Sequence, residues 1–210
     1  MPESSALLDR ILEQIVTYGM LPQTDARLPS VVAIIAGEPV HGSWWGHPRG
    51  GEIYNILGEV AEHDDVEEIR LIDGRVTFIH RRLWPALIGV ATSGEPWQMR
   101  RLSPDGGRML AAVNGLGECR VDQLPVPEEE WSRKPGDVAR DLERRLLLHG
   151  RQIHTERGMH TKCLATWEHW MEHRSFTPPD ITIAAARGEL DAHLLRLNEE
   201  SGGKGRLAWW

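Results

Sequence analysis

Residues 1–63 carry three stretches in which apolar side chains recur every three or four positions. This spacing places them along one face of a helix. Helices are therefore predicted over residues 4–18, between Pro29 and Gly37, and over 52–63. The second stretch has proline at its start and glycine at its end, as helices prefer. Its β-branched residues leave a strand open as the alternative.

Two strand-like runs follow over residues 66–80, and they are joined by Asp73-Gly74. Asp-Gly suits the two-residue type I′ turn of a β-hairpin, so a hairpin is predicted here. Three helices followed by a hairpin is the element order of a winged helix-turn-helix domain. In that arrangement the third helix is the recognition helix and the hairpin is the wing.

Weaker patterns in the second half of the chain predict a similar order of helices and a hairpin. A helix is expected to begin after Ser103, which can cap it, and another is expected to begin at Pro135. A turn at His149-Gly150 would give a second hairpin, unless the helix continues through it. Two amphipathic helices are predicted over residues 161–174 and 181–199.

These patterns together predict an α+β fold that is mainly helical. It consists of tandem winged helix-turn-helix units with short β-hairpin wings and C-terminal helices. The predicted division is a winged-helix domain over residues 1–100 and a second winged-helix-like domain with the C-terminal helices over 101–210.

Composition places the chain among ordinary globular proteins, with 210 residues, 40% hydrophobic and 26% charged. No apolar run approaches the roughly 20 residues that cross a bilayer, and the first residues lack a basic segment. Cys119 and Cys163 are too few for a disulfide framework or a four-thiolate zinc site. A cytoplasmic protein with no cofactor, no resident metal and no membrane partner is expected.

The net charge of −7 is unevenly distributed along the chain. Residues 1–69 sum to −9, whereas residues 70–108 and 133–162 each sum to +4. An acidic protein is a poor general binder of polyanions, but contact with phosphate depends on the local patch. The two basic segments coincide with the two predicted hairpins, although a solvated surface of mixed charge would give the same counts.

Tryptophan supplies nine of the thirteen aromatic residues, and two of the nine stand just before the predicted recognition helix. Such a pair stacks on an unpaired base or packs in the core. Arginines at the ends of the predicted hairpins are placed to contact phosphates or the minor groove. The residues predicted to contact DNA are Ser43, Trp44, Trp45, His47, Arg49, Arg75, Arg81, Arg82 and Arg151.

The segment Gly42-Ser-Trp-Trp-Gly46, the helix led by Pro48 and the hairpin ending in Phe78-Ile-His-Arg-Arg82 resemble one known family. It is the AlkZ/YcaQ-like group of winged-helix DNA glycosylases and their AlkZ-related proteins, and the similarity covers residues 28–90. The resemblance implies DNA repair or DNA binding, with tandem winged helices facing double-stranded, possibly damaged DNA. A protein of this kind would be associated with the nucleoid.

The glycosylases of this family position water with a Gln-aliphatic-Asp or Gln-aliphatic-Gln motif. The one similar triple here is Gln23-Thr24-Asp25, in which a hydroxyl replaces the aliphatic side chain. A second candidate group for water activation or metal binding is His154, Glu156 and His160, close to Arg151 in the sequence. These side chains equally suit phosphate contact or a solvated surface.

Three hypotheses follow for function. The first is a DNA-binding winged-helix protein related to DNA repair, which contacts the duplex with its recognition helix and wing. The second is a small DNA glycosylase, and the third is a protein–protein adaptor that binds no nucleic acid. A further motif, His169-Trp-Met-Glu-His173, matches the inverted zinc-peptidase pattern, but an exposed helix face with paired charges explains it more simply.

Overall fold

The computed structural model describes residues 2–154 and 160–210, and for residues 2–4, 154 and 160 it describes the backbone only. Within these residues the fold is α+β and mainly helical, as predicted, with two small antiparallel sheets. The helices are α1 (Pro2–Tyr18), α2 (Val31–Ala36), α3 (Gly50–Ala61), α4 (Trp84–Ala91), α5 (Pro96–Met99), α6 (Pro104–Leu116), α7 (Pro135–Arg144), α8 (Trp167–His173) and α9 (Ile183–Ser201). The strands are β1 (Met20–Pro22), β2 (Val66–Arg70), β3 (Val76–His80), β4 (Glu118–Arg120), β5 (His149–His154) and β6 (His160–Ala165).

The chain divides into two compact units, and the division differs from the one predicted at residue 100. Unit 1 holds the residues up to Leu87 together with Ala184–Ala208 and Trp210, and unit 2 holds Ile88–Ile183 and Trp209. The C-terminal helix α9 belongs to unit 1 because its apolar face is buried there. Its buried residues are Ala186, Leu190, Leu194 and Leu197.

The core of unit 1 forms between helices and a sheet in which β3 is the central strand. Phe78 of β3 is fully buried and pairs in register with Leu21 of β1 and Glu68 of β2. Ile11 and Ile15 of α1 are also fully buried, so the predicted apolar stripe of this helix faces the core. The second predicted helix is confirmed as α2, where the side chain of Ser30 accepts from the Ala33 N–H at 3.2 Å.

The predicted hairpin is confirmed, and its turn contains Asp73 and Gly74. Both residues have positive φ, 52° and 64°, as the two central residues of a type I′ turn require. The Arg75 N–H donates to the Ile72 carbonyl at 2.9 Å and closes the turn. Leu71 has φ −118° and ψ −68°, so it leaves the extended ladder and adds one residue to its strand.

The sheet of unit 2 again has its last strand in the centre, in the order β4-β6-β5. The turn predicted at His149-Gly150 is wrong, because these residues begin β5 and pair with Ala165 and Leu164 of β6. The connection between the two strands lies outside the described residues.

The helix predicted over residues 161–174 is also wrong in its first part. Cys163, Leu164 and Ala165 are buried in β6, and α8 begins only at Trp167. Thr166 ends the strand and caps the helix, since its hydroxyl accepts from the His169 N–H at 3.2 Å. The short apolar run of residues 163–165 fits a helix or a strand, and its burial in the sheet makes it a strand.

Each unit therefore has the chain order helix, strand, helix and hairpin. Unit 1 places α2 between its first strand and α3, whereas unit 2 places two short 3₁₀ turns, Val121–Gln123 and Glu128–Glu130, between β4 and α7. Among the described helices none is both long enough and apolar enough to span a bilayer.

Candidate nucleic-acid interface

The segment before α3 forms a compact turn that carries the tryptophan pair. The His47 N–H donates to the Trp44 carbonyl at 3.0 Å, and the Gly50 N–H donates to the His47 carbonyl at 2.8 Å. A Cβ at position 50 would lie 3.1 Å from the carbonyl oxygen of Trp45. Glycine at this position therefore lets the turn pack against the first residue of the helix.

Three aromatic rings meet at the start of α3, and we call this group the aromatic platform (Trp44, Trp45 and Tyr54). Trp44 and Trp45 are stacked with ring centroids 4.3 Å apart, and Tyr54 lies 5.6 Å from Trp45. Trp45 is 65% exposed and Tyr54 is 43% exposed. The outer rings therefore form part of the protein surface.

The exposed side of α3 is acidic. Residues 50–61 contain no lysine or arginine, and Glu59 and the following Glu62 are exposed. The guanidinium of Arg49 bonds both oxygens of Glu52 at 2.7 and 2.8 Å, which lowers the pKa of that carboxyl. This surface lacks the positive charge expected of a recognition helix.

The other predicted residues of this segment make local contacts. Ser43 is exposed and its hydroxyl makes no capping bond to the turn that follows. His47 accepts from the Arg49 N–H through Nδ1 at 3.2 Å, and its Nε2 lies 3.9 Å from a carboxylate oxygen of Glu38.

At the tip of the first hairpin, Arg75 is bonded to Asp25 at 2.8 Å. The other oxygen of Asp25 accepts from the N–H groups of Arg27 and Leu28 at 2.8 and 2.9 Å. Asp25 thus holds the loop after β1 and the arginine of the hairpin together. A cleft of about 290 Å³ lies beside this pair, and its lining includes Arg27, Asp73 and Lys204.

Arg81 and Arg82 follow directly after β3, and both are exposed. Arg81 bonds Asp65 at 2.8 Å, and its guanidinium lies 5.8 Å from the ring of Trp84. Arg82 donates to the Thr17 carbonyl at 3.2 Å. In unit 2, Arg151 of β5 pairs in the same way with Glu118 of β4 at 3.1 Å.

A second basic surface, which the sequence prediction did not single out, lies along α7. Four of its residues are exposed, with Arg133 and Lys134 directly before the helix and Arg140 and Arg144 one turn apart within it. Arg140 also lies 3.1 Å from Asp137. The spacing of residues 140 and 144 within a predicted helix was the signal that could have identified this surface.

The catalytic candidates are divided between the two units. Gln23 lies beside the sheet of unit 1, where its backbone N–H donates to Val76 at 2.8 Å and its carbonyl accepts from Val32 at 2.9 Å. Asp25 is buried in the bonds described above. His154 and His160 are paired in register in unit 2, and Glu156 lies outside the described residues.

Two other histidines of unit 2 lie beside side chains of the same unit. His149 is 5% exposed and lies edge-on to Trp167, with centroids 5.7 Å apart. His169 lies 4.0 Å from Glu118. Among the residues that the structure describes, no group of three or more His, Cys, Asp or Glu is arranged to hold a metal ion.

Comparison of the chain with models of protein families, with characterised proteins and with solved structures finds no significant match. The resemblance to the AlkZ/YcaQ-like group therefore stays a prediction.

Proposed function

We propose that this chain is a tandem winged-helix protein that binds duplex DNA, with α7 of unit 2 as its main contact. Two features of the fold support the winged-helix assignment. Unit 1 has the element order of that domain, and both sheets place the last strand between the other two. In such a domain the helix before the hairpin enters the major groove, and in unit 2 that helix is α7.

The exposed basic side of α7 is the observation that carries this proposal. Val138, Ala139 and Leu142 are fully buried, which leaves Arg140 and Arg144 on the outer side of the helix. With Arg133 and Lys134 they form a group of four positive side chains, offset in part by Asp137, that can neutralise phosphates and release their counterions. The corresponding side of α3 carries carboxylates instead.

The arginines predicted in unit 1 remain candidates for weaker contacts to DNA. Arg49, Arg75 and Arg81 each bond a carboxylate in the absence of DNA. Exposed ion pairs of this kind contribute about 0–1 kcal/mol, so phosphate can replace the carboxylate at little cost. The ion pair of Arg140 with Asp137 is of the same kind, so the smaller contribution expected of unit 1 follows from the carboxylates exposed on α3.

Salt-dependent binding of a fluorescent duplex tests the proposal. We expect the affinity of the wild-type protein to fall steeply as salt rises. Arg140→Ala with Arg144→Ala should weaken binding about tenfold or more at moderate salt, and should lower the slope of log K against log salt by about 1 to 2. Arg196→Ala is the matched control, because Arg196 is an exposed helical arginine of unit 1 that pairs with Glu200.

A duplex affinity that does not change with salt concentration, or an equal loss of affinity in the control and the α7 variant, contradicts the proposal.

The glycosylase alternative has its own measurement, which is release of a free base from alkylated DNA. If that activity exists, Asp25→Asn and Gln23→Ala should abolish it, and base release that survives both changes would remove these residues from consideration.

A further inference from the structure

We propose that the aromatic platform and the carboxylates around it dock an arginine- or lysine-bearing segment of a partner protein. This surface belongs to unit 1 and is separate from the α7 contact. The proposal therefore does not depend on DNA binding.

The platform has the geometry of a cation-binding surface. The stacked pair presents the 65% exposed ring of Trp45, and the tilted ring of Tyr54 adds a second wall at 5.6 Å. The face of an indole ring is negative, and a guanidinium or ammonium group placed over it within about 6 Å is attracted. Tryptophan gives the strongest such contact among the aromatic side chains.

The stretch of chain that carries the platform, residues 38–62, holds four carboxylates and one arginine. Glu38 is linked to the platform through His47, which lies 3.9 Å from it, and its side chain is 75% exposed. Glu59 and Glu62 are exposed on the following turns of α3. Residues 38–62 contain one arginine and no lysine, and this residue, Arg49, bonds both oxygens of Glu52.

This charge distribution decides between two kinds of occupant. A stacked nucleobase would bring its phosphates to a segment whose lysine, arginine, aspartate and glutamate side chains sum to −3, which is unfavourable. A basic protein segment brings charge of the opposite sign to this acidic stretch and lays its aliphatic stems on the rings. Charge complementarity therefore favours the protein segment, and arginine suits the flat ring best because it stacks.

The experiment measures binding of a short fluorescein-labelled peptide that alternates arginine and glycine to the full chain. A peptide with citrulline in place of arginine is the neutral control. We expect the arginine peptide to bind and the citrulline peptide not to bind. Trp45→Ala should weaken binding about fivefold, as should Glu59→Gln with Glu62→Gln.

Trp210→Ala is the matched control variant, because Trp210 is another surface tryptophan of unit 1 and is 48% exposed. It should leave peptide affinity unchanged. Trp45→Phe keeps a ring and should retain most of the affinity, and it also serves if the alanine variant does not fold. The proposal is overturned if the arginine peptide fails to bind or binds Trp45→Ala as tightly as wild type. It is also overturned if Trp45→Ala weakens binding of a single-stranded oligonucleotide but not of the peptide.

Discussion

The helix before the hairpin buries an apolar side in both units, but the exposed sides of the two helices carry different charges. α3 shows glutamates and aromatic rings, whereas α7 shows Arg140 and Arg144 beside Asp137 and follows Arg133 and Lys134. Burial constrains the inner residues of such a helix and leaves the outer ones free to differ. Two copies of one arrangement can therefore carry two different binding surfaces.

The buried sides also differ between the units. The buried residues of α3 are Gly50 and four apolar side chains, whereas those of α7 include Glu143, which is 5% exposed. Lys162 of β6 bonds both oxygens of Glu143 and joins the helix to the central strand of the sheet. The buried side of α7 thus includes an ion pair to the sheet, whereas the buried side chains of α3 are apolar.

The largest effect is expected when this ion pair is broken. Lys162→Met should lower the free energy of unfolding by about 3 kcal/mol, because it removes the cation that bonds both oxygens of the buried Glu143 carboxylate. Chemical denaturation measures the change, and Lys204→Met is the matched control because Lys204 is exposed in unit 1. Adding Glu143→Leu to Lys162→Met should restore much of the stability. A change in Lys162→Met as small as in the control would show that the pair contributes little.

An intermediate effect is expected when α3 is given the charge of α7. Glu59→Lys with Glu62→Lys should raise duplex affinity several-fold, up to about tenfold at low salt, because two repulsive groups become attractive. Glu13→Lys with Glu199→Lys makes the same change of net charge at exposed positions on α1 and α9. An equal gain in that control would mean that net charge, and not the position of α3, sets the affinity.

The smallest effect concerns His193 of unit 1, which lies 2.7 Å from the Tyr18 carbonyl. Burial lowers the pKa of His193 below its ordinary value of 6.5, although the bond to Tyr18 opposes the shift. As the pH falls below 6.5 the unfolded chain takes up a proton before the folded one, so stability decreases. His193→Asn should reduce this decrease, as measured by denaturation near neutral and near mildly acidic pH. An unchanged pH dependence would contradict the assignment.

Local chemistry explains which parts of the fold were predictable from sequence. Ser30 as a cap and Asp73-Gly74 as a turn act within a few residues, and both are confirmed. The placement of β6 and α9 depends on distant partners. Residues 163–165 are a short apolar run that only β4 and β5 make into a strand.

The same limit applies to the candidate site. Sequence analysis could propose Arg75 and Arg81 as exposed arginines near a hairpin, but it could not show that Asp25 and Asp65 bond them. The helix predicted from Pro135 already precedes the predicted second hairpin, but the sequence alone does not show which of its sides is buried. The burial of Val138, Ala139 and Leu142 places Arg140 and Arg144 on the outer side and makes them the candidate contact.

The last residues of unit 1 are held at its hairpin. The Asp73 N–H donates to the Arg206 carbonyl at 2.8 Å, and Gly205 lies so close to Ile72 and Leu28 that a Cβ would come within 2.9 Å of each. Unit 2 is thus an insertion in the sequence of unit 1. During translation, residues 88–183 of unit 2 are made before residues 184–208 of unit 1. Leu28 and Ile72 therefore lack the cover of Gly205 until that later segment is made, and exposed apolar surface in this interval favours aggregation.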